Sequence, residues 1–290
     1  MSASTAASSP RLSLNDVQPF SDGLQRPECV LCLADGSVVT SDWRGGVTRV
    51  SATGVPSPLL ADHTMALRPN GIAKLADGSY LLANLGDDGG VWRLSSDGSL
   101  RPFLVEVDGL TLPPANFVGV DHQQRVWVTV STRQVPRSAG YRQDVADGFV
   151  VLVDGRGARI VADGLGYTNE AQVDPTGEWL YVNETFAQRL SRFPVDAKGV
   201  VGRRRTVTEF GSGTFPDGLC FDIDGGIWIT SPVSNRVIRL APDGEHQLML
   251  EDAEAAHVAW VVAAFEAGAM GRQHLDRAAG SRLRNVTSLA

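Results

Sequence analysis

A unit of roughly forty to fifty residues recurs five times along this chain and constrains its fold more than any other feature. Each copy begins with a polar residue and continues with a short apolar strand, an Asp/Gly-type turn and a second apolar strand. The clearest copy runs from Thr214 to Thr230, and Asp217 stands at the head of its first strand. The equivalent head residues of the four preceding copies are Glu28, Asn70, Asn116 and Asn169.

The repeating unit predicts the fold class. Each copy contains three or four short strands separated by turns, which is typical of an antiparallel β-meander. One such sheet cannot bury both of its faces, so neighbouring units must stack. Repeated four-stranded sheets around a central channel form a β-propeller. A solenoid is the alternative, but the units lack the helical periodicity that would favour it. We therefore predict one all-β propeller domain at 14–290, preceded by a disordered N-terminal tail at 1–13.

Composition excludes several classes of function. The formal net charge of -7 over 290 residues disfavours non-specific binding to nucleic acid or to an anionic membrane surface. No apolar run is long enough to span a bilayer, and the N-terminus lacks the pattern of a secretory signal. Three cysteines cannot all pair, and Cys29 and Cys32 would point to opposite faces of one strand. We expect a cytoplasmic protein that acts on a small molecule, with no nucleic-acid or membrane partner; its oligomeric state stays open.

The five head residues have the chemistry of a metal site. In a propeller, equivalent positions of successive innermost strands lie around one ring at the channel mouth. Each Asn or Asp alone would suit a turn, but five at matched positions favour a ring. The carboxylates of Glu28 and Asp217, together with amide oxygens, suit a hard cation with six to eight oxygen ligands. No His or Cys lies in the ring, so we predict Ca²⁺, with Mg²⁺ or Mn²⁺ as alternatives.

Four segments carry a resemblance to a known family: Pro27-Glu28, the stretch around Asn116, Tyr167-Thr-Asn169 and Phe215-Pro-Asp217. With the repeats, these segments make the chain resemble the family of senescence marker protein 30, the gluconolactonases and related lactone hydrolases. The resemblance covers nearly the whole chain after about Asp16 and implies a six-bladed, calcium-dependent propeller that hydrolyses lactones. It implies that the metal is held by Glu28, Asn116, Asn169 and Asp217.

The same resemblance gives Asp217 a second role, as catalytic base or nucleophile, and places Asn70 beside the ring. The long third-unit connection, 131–147, predicts substrate contacts because loops on rigid scaffolds often carry specificity. With Asn70, we expect these contacts from Arg133, Arg137, Tyr141 and Arg142. The arginine that sugar-lactone members place just before the ring asparagine is Pro114 here, which predicts that glucono-lactone is not the best substrate.

Two other functions fit the same sequence. One is a non-catalytic propeller that binds a metal or another ligand, because the scaffold alone does not determine chemistry. The other is an enzyme of the strictosidine-synthase type, because the run Val182-Asn-Glu-Thr-Phe-Ala-Gln-Arg189 is similar to that branch of propellers. We prefer the lactone hydrolase, in which the cation binds the substrate carbonyl and Asp217 acts as base or nucleophile.

The C-terminal quarter predicts an incomplete ring. The alanine-rich residues 252–267 contain no Gly or Pro and predict one helix that ends at Gly268 and packs over the ring. Residues 285–290 have the pattern of an innermost strand, and residues 15–20 are placed to supply an outer strand of the same blade. The polar run at 270–280 lacks the pattern of the two strands between them. We therefore predict five full blades and an incomplete sixth, as in a truncated member of a six-bladed family.

Overall fold

A computed structural model describes residues 10–277 and 279–290. Within them, five antiparallel four-stranded sheets follow one another along the chain, and in each sheet consecutive strands pair side by side. Blade 1 contains β1 (Val30–Cys32), β2 (Val38–Asp42), β3 (Gly46–Val50) and β4 (Pro56–Leu60). Blade 2 contains β5 (Pro69–Lys74), β6 (Tyr80–Asn84), β7 (Val91–Leu94) and β8 (Leu100–Leu104). A small hairpin follows, formed by β9 (Glu106–Val107) and β10 (Leu110–Thr111).

The other three blades repeat the same order of strands. Blade 3 contains β11 (Ala115–Val120), β12 (Val126–Val130), β13 (Gly148–Asp154) and β14 (Gly157–Leu165). Blade 4 contains β15 (Thr168–Val173), β16 (Trp179–Glu184), β17 (Arg189–Pro194) and β18 (Arg205–Glu209). Blade 5 contains β19 (Leu219–Phe221), β20 (Ile227–Ser231), β21 (Arg236–Leu240) and β22 (His246–Glu251). The α-helices are α1 (Ala255–Glu266) and α2 (Arg272–Asp276), and 3-10 turns lie at Leu14–Asp16 and Arg137–Gly140.

Aspartates in the first turn of each blade explain why the meander recurs. In blade 3, the Asp121 carboxylate accepts the backbone N–H of Gln123 at 2.9 Å and the indole N–H of Trp127 on β12 at 2.9 Å. In blade 5, Asp222 accepts the N–H of Asp224 at 3.0 Å and pairs with Arg239. Such side-chain to backbone bonds stabilise a tight turn between two strands. The Asp/Gly turns predicted from the sequence therefore also tie the first turn of a blade to a neighbouring strand.

The blades stack through their apolar faces around a channel lined by their first strands. The first strands of blades 1 to 5 are neighbours in the ring: β1 contacts β5, β5 contacts β11, β11 contacts β15, and β15 contacts β19. Fully buried side chains fill each interface; Leu81 of blade 2 and Val128 of blade 3, for example, share one apolar cluster. Each buried aliphatic side chain of this kind stabilises the fold by about 1.5–3 kcal/mol.

The sector between blade 5 and blade 1 has a different construction. Within the described residues it contains no strand, so the predicted six-blade count is not confirmed. The C-terminal segment 285–288 lies there, beside blade 5, where the Thr230 hydroxyl donates to the Thr287 carbonyl at 3.0 Å. A cavity of about 460 Å³ separates this segment from the apolar face of blade 1. The predicted innermost strand at 285–290 is wrong, because its backbone pairs with no neighbouring strand.

The N-terminal segment crosses the outside of this sector. The backbone N–H groups of Arg11 and Leu12 donate to the carbonyls of Leu248 and Met249 on β22, at 3.0 and 2.8 Å. At the other end, the Ser21 hydroxyl donates to the carbonyl of Gly54 in blade 1 at 2.9 Å. The predicted outer strand at 15–20 is wrong, because a 3-10 turn occupies 14–16 and no strand among residues 10–277 and 279–290 pairs with this stretch. Of the predicted disordered tail, 1–9 lie outside the described residues.

The C-terminal helices cover one end of the channel. The predicted helix at 252–267 is confirmed as α1, and α2 follows it within the polar run where no secondary structure was predicted. Val261 and Phe265 of α1 are buried against Phe186 and Phe215, which project from blades 4 and 5. None of the helices in the described residues has the length and apolar character needed to cross a membrane.

Candidate active site

A cavity of about 360 Å³ opens at the end of the channel that α1 and α2 cover. Five of its lining residues are the predicted head residues, one from each blade: Glu28, Asn70, Asn116, Asn169 and Asp217. Asn70, Asn116 and Asn169 lie in β5, β11 and β15, and the two carboxylates each precede the first strand of their blade by two residues. The structure thus brings together all five side chains that the repeat places at equivalent positions.

Irregular pairing turns the three asparagines toward the cavity. The register between first and second strands shifts between Pro69 and Ile72, between Ala115 and Phe117, and between Thr168 and Ala171. Each shift therefore falls at a ring asparagine. A bulge of this kind breaks the alternation of a strand and re-aims one side chain. The ring consequently depends on three local distortions that recur at the same place in blades 2, 3 and 4.

Hydrogen bonds orient the asparagine side chains. Nδ2 of Asn169 donates to Oγ1 of Thr185 at 3.0 Å, and that hydroxyl donates to the carbonyl of Pro216 at 2.8 Å. Because Nδ2 of Asn169 donates to Thr185, the Oδ1 atom of Asn169 stays free to accept a bond or to bind a cation. Nδ2 of Asn70 donates to the backbone carbonyl of Asn116 at 2.9 Å. These contacts hold the ring amides in defined orientations.

Asp217 combines a rigid backbone with an unfavourable electrostatic environment. Its N–H donates to the Thr230 carbonyl at 3.0 Å, and its carbonyl accepts Nδ2 of Asn183 at 2.9 Å. Burial raises the pKa of the Asp217 carboxyl well above its usual value, and repulsion from Glu28 and Glu170 adds to this shift. The C-terminal segment also approaches closely here: a Cβ on Gly218 would lie 2.7 Å from the Thr287 carbonyl oxygen.

The ring has the donor set of a hard cation. Its side chains offer carboxylate and amide oxygens, which suit calcium or a similar divalent ion better than zinc. Within the described residues, no group of three or more His, Cys, Asp or Glu is placed to hold a metal. A site here would therefore depend on the asparagine oxygens. Oε1 of Glu28 pairs with Nε of Arg26 at 2.5 Å, which leaves Oε2 for another ligand. The residues present fit a cation bound by Glu28, Asn116, Asn169 and Asp217.

The predicted substrate contacts divide into two groups. Asn70, Arg137 and Tyr141 line the cavity, whereas Arg133 and Arg142 do not. The guanidinium of Arg133 lies over the Phe149 ring at 4.2 Å and pairs with Asp163 at 2.8 and 2.9 Å on the surface. Arg142 is similarly paired with Asp144. Arg133 therefore lies away from the cavity that the other predicted contacts line, because Asp163 already binds its charge.

Several lining residues were missed by the sequence reasoning. Arg272, Leu275 and Asp276 come from α2, and Arg284 comes from the segment that follows it. The signal for α2 was present, because Arg272 and Asp276 are four residues apart and pair at 2.9 Å on one helix face.

The remaining wall is aromatic: the rings of Tyr141 and Tyr167 lie 5.4 Å apart, and those of Tyr167 and Phe186 lie 4.7 Å apart. Arg26 also lines the cavity and was not anticipated.

The stacked four-stranded blades define a β-propeller. The oxygen ligands around one end of its channel suit a divalent cation and a small ligand. The particular family follows from comparison with known proteins. The profile described as "SMP-30/Gluconolactonase/LRE-like region" matches residues 27–262. That match covers most of the 290 residues, so the chain belongs to this family.

Individual relatives agree with the family assignment. A 6-deoxy-6-sulfogluconolactonase from Pseudomonas putida is 32% identical over 160 residues, which are 54% of this chain and 52% of that protein. The chain thus matches about half the length of this curated relative. A gluconolactonase from Xanthomonas campestris has a similar structure, with a TM-score of 0.65, 22% identity, and 80% and 78% of the two chains covered. The calcium-binding protein regucalcin from Agrobacterium tumefaciens gives a TM-score of 0.58, 19% identity, and coverage of 77% and 73%. At these identities the two structures show the fold alone.

Proposed function

We propose that this protein is a lactone hydrolase that depends on a divalent cation, most simply Ca²⁺. The observation that carries the proposal is the convergence of Glu28, Asn116, Asn169 and Asp217 in one cavity large enough for a small cyclic ester. Membership of the gluconolactonase family and the similarity to a sulfogluconolactonase support the same reaction class. We further propose that the reaction takes place in the cytoplasm, in keeping with the three free cysteines among the described residues.

When bound, the cation would supply Lewis acidity at the substrate carbonyl oxygen. The residues of the chain would supply position and proton transfer. Asp217 accepts a proton from the attacking water while the water oxygen bonds to the carbonyl carbon. The ring C–O bond then breaks, and the departing alkoxide takes up the proton, so that the product is a hydroxy acid. Direct attack by the Asp217 carboxylate, followed by hydrolysis of the resulting anhydride, is the alternative covalent route.

The other lining residues have positioning roles in this proposal. Thr185 holds the side-chain amide of Asn169, and the backbone carbonyl of Asn116 holds that of Asn70. These two side-chain amides are therefore oriented before substrate arrives. The aromatic side chains of Tyr141, Tyr167 and Phe186 would exclude bulk water from the reacting ester. Preorganised contacts of this kind stabilise a transition state without reorganisation during the reaction.

The test is lactone hydrolysis by the purified chain, with calcium and with excess chelator, on glucono-lactone, its 6-deoxy-6-sulfo analogue and a smaller apolar lactone. We expect turnover that disappears with chelator and returns with a divalent ion. Asp217→Asn should lower kcat/KM by about 10²- to 10⁴-fold while the fold is retained. The matched control is Asp243→Asn, which removes an exposed carboxylate from the turn before β22 and should leave turnover unchanged.

Two outcomes would replace the proposal. Calcium binding without turnover of any lactone would favour a non-catalytic binding propeller, which is the role that the name of the regucalcin neighbour suggests for that protein. Full hydrolysis in excess chelator would remove the cation from the reaction. Retention of wild-type turnover by Asp217→Asn would instead remove Asp217 from the proton-transfer step while leaving the hydrolase assignment standing.

A further inference from the structure

The cavity contains more positive charge than its carboxylates neutralise. Four arginines line it, whereas its acidic lining residues are Glu28, Asp217 and Asp276. Two of the arginines are paired within the cavity wall: Arg26 with Glu28 at 2.5 Å, and Arg272 with Asp276 at 2.9 Å. This local excess occurs in a chain whose formal net charge is -7. The charged side chains that line the cavity therefore carry a net positive charge, whereas the protein as a whole is negative.

Arg137 and Arg284 are the two cavity arginines that remain after these pairs, and the one carboxylate that remains with them is that of Asp217. Among the described residues, neither guanidinium forms an ion pair, although both side chains line the cavity. Arg284 is exposed at the mouth, whereas Arg137 is partly buried in the wall. A cation that protein carboxylates leave unpaired inside a concave site attracts anionic ligands and raises their local concentration.

The guanidinium of Arg137 is held in place by uncharged neighbours. Its Nη2 donates to the Ser131 hydroxyl at 3.0 Å, and its Cζ lies 5.4 Å from the centre of the Tyr167 ring. Its Nε is buried and has no hydrogen-bond partner within the described chain. Because Nε is shielded from the cavity, an anion there would meet the terminal nitrogens of Arg137, of which only Nη2 has a hydrogen-bond partner within the described residues. A guanidinium can donate two parallel bonds to an oxyanion, which makes it specific for that chemistry.

We propose that Arg137, assisted by Arg284 at the mouth, binds an anionic group of the substrate. This inference rests on the proposed function: the substrate would be a lactone that carries an oxyanion, such as a phosphate or sulfonate, remote from the ester being cleaved. Arg137 is then a specificity residue that determines which lactone is accepted.

The chain offers a matched control for this inference. Arg133 and Arg137 lie four residues apart in the same connection, but Arg133 faces the surface and pairs with Asp163. We would measure kcat and KM for wild type, Arg137→Gln, Arg137→Lys and Arg133→Gln, all loaded with calcium. The substrates would be glucono-lactone and the same lactone with a terminal phosphate or a terminal sulfonate. The two anionic lactones distinguish a general oxyanion site from one that selects phosphate or sulfonate.

We expect wild type to prefer an anionic lactone, and Arg137→Gln to lower kcat/KM for it by about 10- to 100-fold, mainly through KM. The neutral lactone should be affected much less. Arg137→Lys should recover part of the loss, and Arg133→Gln should behave as wild type. Absence of a preference in wild type would overturn the inference. An equal loss on neutral and anionic lactones would also overturn it, because Arg137 would then act at the ester or on folding.

Binding measured without turnover separates this inference from the proposed function. Methyl glucoside with a terminal sulfonate cannot be hydrolysed as a lactone, and neutral methyl glucoside is its matched probe. By calorimetry, the anionic glucoside should bind more tightly to wild type, and Arg137→Gln should abolish the difference. If no lactone is turned over but this difference persists, the hydrolase proposal fails and the anion site stands. Equal binding of both glucosides would contradict the anion site, regardless of the results with the lactones.

Discussion

The interface between blades 2 and 3 and the sector between blades 5 and 1 are held together by different interactions. The first is apolar: Leu81, Val91, Val118 and Val128 are all fully buried in one cluster. The second is polar, and its centre is Asp252, which follows blade 5. The carboxylate of Asp252 accepts the Ser281 hydroxyl at 2.8 Å and the backbone N–H groups of Arg282 and Leu283 at 2.6 and 2.7 Å.

This difference shows how, within the part of the chain that the structure describes, blades 5 and 1 are joined by hydrogen bonds where no sheet lies between them. A blade buries its faces against two neighbours, so a sector without strands must satisfy exposed backbone and apolar surface in another way. Here the C-terminal segment supplies hydrogen bonds to blades 4 and 5, while a cavity remains against blade 1. We therefore expect the apolar interfaces to dominate global stability and the polar sector to control local opening.

The largest effect should come from truncating the apolar interface. Leu81→Ala removes a fully buried side chain between blades 2 and 3 and should lower the free energy of unfolding by about 2–5 kcal/mol. The matched variant is Leu283→Ala, which shortens a half-buried leucine in the polar sector and should cost about 1 kcal/mol or less. Urea denaturation at pH 7 measures both. Equal losses would show that the two regions contribute to stability in the same way.

An intermediate effect should come from Asp252→Asn. An amide has one acceptor oxygen and no charge, so the three donors around Asp252 lose charge-assisted bonds. We expect a loss of about 2 kcal/mol at pH 7, compared with almost none for Asp22→Asn, which changes an exposed aspartate of the N-terminal segment. A loss below that of Leu283→Ala would show that Asp252 is not the centre of the sector.

The same carboxylate predicts a pH dependence. Burial alone would raise the pKa of Asp252, but hydrogen bonds from the backbone of Leu283, Arg282 and Ser281 lower it to about 2. Because the folded-state pKa lies below the unfolded value of 3.8, the stabilisation is complete above pH 4 and is lost as the pH falls toward 2. The difference between wild type and Asp252→Asn should therefore shrink over that window. A constant difference from pH 7 to 2 would contradict this assignment.

Particular residues show why the sequence predicted one region better than the other. The positions of Asn70, Asn116 and Asn169 followed from a repeat, because equivalent positions in stacked blades must lie around one ring. The bulges that turn these side chains inward have no signature in the sequence. Arg133 and Arg137 could not be told apart, because the fold of a long connection depends on partners elsewhere, here Asp163 and Ser131. Asp252 was missed because its donors lie about thirty residues away in sequence, outside any repeat.

A smaller effect than that of Asp252→Asn, and a sharper test of the difference between the two regions, should come from Ser288→Ala. The Ser288 hydroxyl donates to Oε1 of the buried Glu170 at 2.9 Å and so ties the C-terminal segment to the first strand of blade 4. Its loss should cost about 1 kcal/mol, expressed as local opening of the segment, because few apolar contacts hold it. In hydrogen exchange under native conditions, amides of 279–290 should exchange about fivefold faster, whereas those of β5, β6, β11 and β12 should be unchanged. Faster exchange throughout the blades would mean that the sector opens only with the whole ring, and the polar and apolar regions would then form one cooperative unit.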